Sequence, residues 1–211
     1  MNTIEQMLTG QLEMSGFTAQ LKSDPALQSE VRNLIPQEAI HDESHPLWKR
    51  ISFESVQNNG SDFLQFLFWL CRFDGTIGDN LNIWAPIYQV YSYYHPELSY
   101  TKKYKETYIL YLDVIRDCYE GSEVRQIVEK IVTDALLIKY KGKRIQQAKM
   151  EVEKQFHVVD KKRPRWIQGP DWPMGEKSPM KFIIQKRKGE QVQYFFEDAD
   201  TGASRIVEQF Y

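Results

Sequence analysis

The chain has 211 residues, 42% of them hydrophobic and 27% charged, with 29 acidic against 27 basic side chains and a net charge of −2. Such a composition reads as soluble and globular, neither disordered nor membrane-embedded, and a near-neutral total singles out no polyanionic partner. Two cysteines in a chain of this size cannot make a disulfide framework.

The first residues, Met1 to Phe17, lack a basic segment followed by an apolar run, so no secretory signal is expected. The most apolar stretch, Phe63 to Phe73, is interrupted by Gln65 and Arg72. It is also shorter than the roughly 20 residues a bilayer crossing needs. Cys71 and Cys118 sit in apolar, helix-like sequence and read as reduced, buried thiols. These features predict a cytoplasmic protein with no membrane partner.

Helical periodicity runs to about residue 157. Asn58-Asn59-Gly60 reads as a turn and Ser61 as the cap of the next helix. Apolar residues on nearly every face predict a buried central helix over 61–73. Asp74 to Asn80, with Gly75 and Gly78, reads as an interhelical loop. A helix is predicted from Leu81 to Tyr94, with Pro86 in its first turns and His95-Pro96 at its end. Another runs from Thr101 to Tyr119, with Tyr104, Tyr108, Tyr111, Leu112, Ile115 and Cys118 or Tyr119 along one face, and Gly121 as its stop. Ser122 can cap a helix whose stripe is Val124, Ile127, Val128, Ile131, Ala135 and Ile138. Gly142 weakens that helix by about 1 kcal/mol relative to alanine. Ile145, Ala148, Val152 and Phe156 continue the stripe, which predicts a bend or short break there.

Beyond Phe156 the pattern changes. Lys161-Lys162-Arg163-Pro164 is a basic linker, and Trp166 to Pro173 is rich in turn formers and aromatics. Three strands are predicted over Met180 to Lys186, Val192 to Glu197 and Ser204 to Phe210, with Gly189 and the Asp198–Gly202 segment as turns. The expected class is α+β: a helical N-terminal body of five or six helices over 1–157, and a basic linker with a small C-terminal three-stranded antiparallel β-meander over 158–211, packed on it.

The segment Trp166-x-Gln168-x-Pro170-Asp171-Trp172-Pro173, then Gly175, then Pro179-Met180-x-Phe182-Ile183-x-Gln185, resembles a core motif of the YwqG family. It is also similar to small α/β modules of bacterial polymorphic-toxin immunity proteins, which bind a cognate toxin and block it. The likeness covers about a tenth of the chain. The β part is smaller than a full YwqG-type domain, and the helical part has no counterpart in it. What the resemblance implies is a non-enzymatic interaction protein of the immunity type, with a toxin as its partner.

Several clusters suggest other chemistry. His41-Asp42-Glu43-Ser44-His45 would set two imidazoles one helical turn apart, a spacing used for zinc. However, Asp42 stands where a zincin has glutamate, Pro46 follows at once and no third ligand is apparent, so a surface loop without metal is expected. The 74–80 segment lacks the spacing and terminal glutamate of a calcium loop and the lysine of a phosphate loop. Asp198-x-Asp200-Thr201-Gly202 reads as a hairpin turn. Four histidines and no Gly-x-Ser-x-Gly elbow give little material for nucleophilic catalysis. Neither a catalytic residue nor a cofactor is therefore assigned.

Charge is unevenly spread. Lys139 to Arg165 holds ten basic and three acidic residues, whereas Met1 to Asp62 holds nine acidic and four basic ones. An acidic surface steers a basic protein partner, and a basic one holds phosphates. The Tyr88, Tyr91, Tyr93, Tyr94 cluster and the Trp166/Trp172 pair read either as packing at a seam between helices and sheet or as a protein-binding surface. The candidate protein-binding set is thus Glu38, Asp42, Glu43, Trp166 and Trp172. Under the alternative of a nucleic-acid-binding module the set is Lys141, Lys143, Arg144, Lys161 and Lys162. A hydrolase with an unrecognised carboxylate site is the third reading.

Overall fold

The structure is a computed structural model and describes residues 1–60, 62–73, 75–115 and 122–211. Ser61, Asp74, Cys118, Tyr119 and Gly121, to which the sequence assigns caps, turns and a thiol, lie outside the described residues, as do the side chains of Ile115 and Ser122. Two compact units emerge, Met1–Tyr108 and Ile109–Tyr211. The division does not coincide with the basic linker at 158.

The first unit is helical. It contains α1 (Thr3–Thr9), α2 (Met14–Ser23), α3 (Pro25–Arg32), α4 (Gln37–Ile40), a short 3-10 turn (Pro46–Lys49), α5 (Phe53–Asn58), α6 (Phe63–Leu70), α7 (Ile77–Tyr94) and the start of α8 (Lys102–Ile115). Local chemistry accounts for the short pieces. Asn2 and Glu5 form a reciprocal capping box on α1, and Gly10 ends it at φ 85°. Asp24 caps α3, where Pro25 takes the first position. Phe17, Leu21, Val31, Leu47 and Val56 are buried, so each short helix contributes to the core.

Two helices differ from expectation. Helix α6 buries Phe63, Leu64, Phe66 and Leu67, but Trp69 is 67% exposed, so the apolar run is not covered on every side. Helix α7 begins at Ile77, with the Thr76 hydroxyl accepting from the Asp79 N–H. The expected loop 74–80 therefore supplies the cap and first turn of α7, and Pro86 is the tenth of its eighteen residues. Proline is tolerated there in a long helix buried on several sides: Ile83, Trp84, Ala85, Pro86 and Ile87 are all buried. The missing N–H leaves the Asn82 carbonyl without its usual helical donor.

The second unit holds the rest of α8, then α9 (Ser122–Leu136), α10 (Lys141–Gln155), β1 (Lys181–Lys188), β2 (Gln191–Glu197) and β3 (Ser204–Phe210). The class is α+β, as expected. Ten α-helices are present among the described residues, more than five or six, because the first sixty residues divide into short ones. The break expected near Gly142 falls over 137–140, and α10 folds back on α9 with Ala148 and Val152 buried alongside Val128, Ile131 and Ala135.

The three strands form an antiparallel meander in the order β1-β2-β3. Its inner face is Val192, Tyr194, Phe196, Val207 and Gln209, all buried. A bulge between Phe182 and Ile184 shifts the β1 register. The segment 165–180 covers the inner face. Trp172 packs edge-on against Phe156 and Phe196, with centroids 5.1 and 5.6 Å away, and donates from Nε1 to the Met180 carbonyl at 2.7 Å. Gln209 accepts from the Ile167 and Gln168 N–H groups and donates to the Gly169 carbonyl. Tyr194 donates to the Arg165 carbonyl at 2.9 Å. A segment with no ladder of its own is thus held by side chains of the sheet beneath it.

Candidate interaction surface

Of the residues proposed for protein binding, Glu38, Asp42 and Glu43 are exposed in the first unit. Glu38 lies on α4. Asp42 accepts from the Ser44 N–H at 2.9 Å and its hydroxyl at 2.6 Å, which hold its carboxyl below the ordinary range, so it builds the turn as well as carrying charge. Trp166 and Trp172 belong to the second unit. Trp166 is half-buried against Tyr194 and Phe196. Trp172 is only 2% exposed and offers no surface. It is core, at a seam between the end of α10 and the sheet.

The tyrosine cluster packs within the first unit. Tyr88 stacks on Trp84 at 4.9 Å, and Tyr91 is buried with its hydroxyl donating to Glu5 at 2.8 Å. That bond holds the Glu5 carboxyl below its ordinary value. Burial pushes the Tyr104 hydroxyl up to about 12, beside Glu13, whose carboxyl the Lys103 ammonium holds low.

The basic stretch does not form one face. Lys141, Lys143 and Arg144 lie at the start of α10, whereas Lys161 and Lys162 follow its end. Eleven helical residues, 145–155, lie between Arg144 and the end of α10, about 16 Å at 1.5 Å per residue. Arg144 is turned to the Ile138 carbonyl at 2.9 Å, and Lys149, Lys154 and Arg163 are paired with Asp113, Glu151 and Glu153. Lys161, Lys162 and Arg165 are exposed with no ion-pair partner among the described residues.

The other clusters resolve into local structure. His45 Nδ1 accepts from the Leu47 N–H and caps the 3-10 turn, while His41 is exposed at the end of α4. Among the described residues no group of three His, Cys, Asp or Glu side chains is arranged to hold a metal. The buried carboxylates among them are Asp79 and Asp198, one in each unit. Asp79 accepts from the Arg72 N–H. Asp198 accepts from the N–H groups of Glu176 at 2.7 Å and Asp200 at 2.8 Å, which hold its carboxyl below the ordinary range. The expected hairpin turn is present, with Gly202 at φ 72°. A Cβ on Gly175 would lie 2.7 Å from the Asp198 carboxyl carbon, so this glycine is required by the turn that reaches across to it.

Sequence reading missed the surface that the second unit does offer. The outer face of the meander carries a cross-strand row of Ile184, Phe195 and Ile206, with the two isoleucines 48% and 49% exposed. Phe210, 54% exposed, lies at the end of β3 beyond a polar row of Lys186, Gln193 and Glu208. The signal was the alternation itself: β2 is apolar at Val192, Tyr194 and Phe196 on one side, yet Phe195 stands on the other. Solvated sheet faces are usually polar.

Comparison with protein-family models, with curated proteins and with solved structures finds no match to this chain. Among the described residues no helix is long and apolar enough to cross a membrane.

Proposed function

We propose that this chain works by binding another macromolecule and not by catalysis, and that it is an immunity-type protein that occludes a cognate toxin. The observation that supports binding is the outer face of the meander, where Ile184, Phe195 and Ile206 form one row side by side across the three strands. Contiguous exposed apolar area of this kind marks an interaction site. The toxin as partner rests on the likeness of residues 166–185 to immunity modules. Charge adds to the reading: the first unit has thirteen acidic and eight basic residues, suited to steering a basic partner such as a nuclease.

The nucleic-acid reading draws less support, because the basic stretch is divided between the two ends of α10 and several of its cations are already paired. The test is first whether a large toxin gene lies immediately upstream, and then titration against its product. A one-to-one complex burying about 1,200–2,000 Å² is expected, lost on Ile184→Asp and Ile206→Asp with the fold retained. Failure to bind that protein, together with micromolar binding of a generic oligonucleotide at near-physiological salt, would replace this reading with the nucleic-acid one.

A further inference from the structure

Between the basic linker and β1 runs a groove of about 550 Å³, lined by Lys161, Lys162, Arg163 and Arg165 on one side and by Phe182, Ile183 and Ile184 on the other. Among the described residues no acidic side chain lines it. Among the described residues β1 pairs only with β2, so its other edge is open along this groove. An open edge presents N–H and C=O groups to any strand that can lie beside it.

The groove's basic wall is held in place. Arg163 is tied to Glu153 at 3.4 Å, and the Arg165 N–H donates to Gln185 Oε1 at 2.8 Å. His157, Asp160 and Lys161 have φ of 49°, 53° and 57°, a left-handed backbone that non-glycine residues adopt at a cost of about 1 kcal/mol or more each. His157 meets Ser178 at 2.9 Å. A sharp turn maintained against that cost sets Lys161 and Lys162 beside β1 before any partner arrives, which reduces the ordering cost of binding.

We infer that this groove takes an extended acidic peptide segment of the partner by strand addition to β1. Its backbone pairs with the open edge, its carboxylates meet Lys161, Lys162 and Arg165, and its alternate apolar side chains lie over Ile183 and Ile184. Charge selects this occupant. β1 itself reads Lys-Phe-Ile-Ile-Gln-Lys-Arg-Lys, with four basic residues and no acid, so pairing with β1 of a second copy would set like charges opposite one another. An acidic strand relieves the same repulsion. Nucleic acid fits less well, because among the described residues Phe182 is the one aromatic ring in the lining on which a base could stack.

The inference rests on the interaction-protein reading, and its groove shares Ile184 with the outer face, so Ile206, which does not line the groove, tells the two apart. The test uses the full chain and a fluorescein-labelled decapeptide of alternating glutamate and valine, followed by anisotropy. Binding that weakens with salt is expected, reduced about tenfold or more by Lys161→Glu, Lys162→Glu and Arg165→Glu together. The milder Lys161→Gln, Lys162→Gln pair should give a smaller loss in the same direction. The same peptide N-methylated at alternate amides should not bind. Absence of binding, equal binding by the N-methylated peptide, or tighter binding of a thymidine oligonucleotide to the same lysines would each overturn strand addition. If the peptide fails while Ile206→Asp still abolishes capture of the partner, the groove is dropped and the functional reading stands. If the peptide binds and Ile206→Asp has no effect on the partner, the reverse holds.

Discussion

Trp84 and Trp172 are both buried, one in each unit, and they are held differently. Trp84 lies among rings, stacked on Tyr88 and edge-on to Tyr104 and Tyr108, and its Nε1 finds no protein acceptor. Trp172 touches two rings and spends its N–H on the Met180 carbonyl. The first unit thus builds its centre mainly from apolar helix faces, with a few polar bonds such as Tyr91 to Glu5 and the Arg72 N–H to Asp79. The second has a three-stranded sheet and a long irregular segment, and it needs specific polar bonds to fasten one to the other. With its inner face committed to that segment, its outer face is the one we propose for a partner.

This contrast can be broken most forcefully at the tryptophans. Trp172→Ala should destabilise the protein by about 3–5 kcal/mol, the usual cost of emptying a buried aromatic site. Trp172→Phe and Trp84→Phe separate packing from bonding. Both remove similar volume, but only the first strands a buried carbonyl, so it should cost about 1 kcal/mol more in denaturant titration. Equal costs would mean that the Met180 bond contributes nothing net.

A second test sits at the turn. Gly175→Ala forces a Cβ against the Asp198 carboxylate, which two main-chain donors hold in place. The substitution should destabilise wild type but do less harm beside Asp198→Ala, giving a coupling on the order of 1 kcal/mol in a double-mutant cycle. Additive effects would show that the glycine answers to something else.

Acid should sharpen the contrast further. The Asp198 and Glu13 carboxyls are both held below their ordinary values, the first by main-chain N–H groups and the second by Lys103. A carboxyl with a lowered folded pKa gives stability that is present above its unfolded value, about 4, and is lost as pH falls through the folded value. Thermal melts below pH 5 should show this loss. Salt should shrink the share that Glu13→Gln removes, because an exposed ion pair is screened, and leave the share that Asp198→Asn removes. If salt acts on both alike, the two carboxyls are not held in different ways.

The meander was legible because its strands alternate and its turns carry Gly189 and Gly202, and the observed bounds fall within two residues of those expected. The start of α7 was not legible. Pro86 reads locally as a first-turn residue, whereas tertiary burial carries the helix through it, and Thr76 caps it five residues before Leu81, the expected start. Trp172 read as a surface candidate because composition cannot distinguish a tryptophan that seals a seam from one that meets a partner. The basic stretch looked continuous because sequence does not show that a straight helix separates its ends. The outer-face row could not be found until the register placed Ile184, Phe195 and Ile206 side by side.

The central claim is that this row is the binding face. Its most direct test is calorimetric titration of a toxin domain, once one is identified from the gene immediately upstream, with wild type, with Ile184→Asp/Ile206→Asp and with the exposed first-unit control Trp69→Asp. Wild type and the control should bind one to one, while the double variant should melt as wild type does, within about 0.5 kcal/mol as exposed sites allow, and give no heat of binding. Undiminished binding by the double variant would contradict the claim.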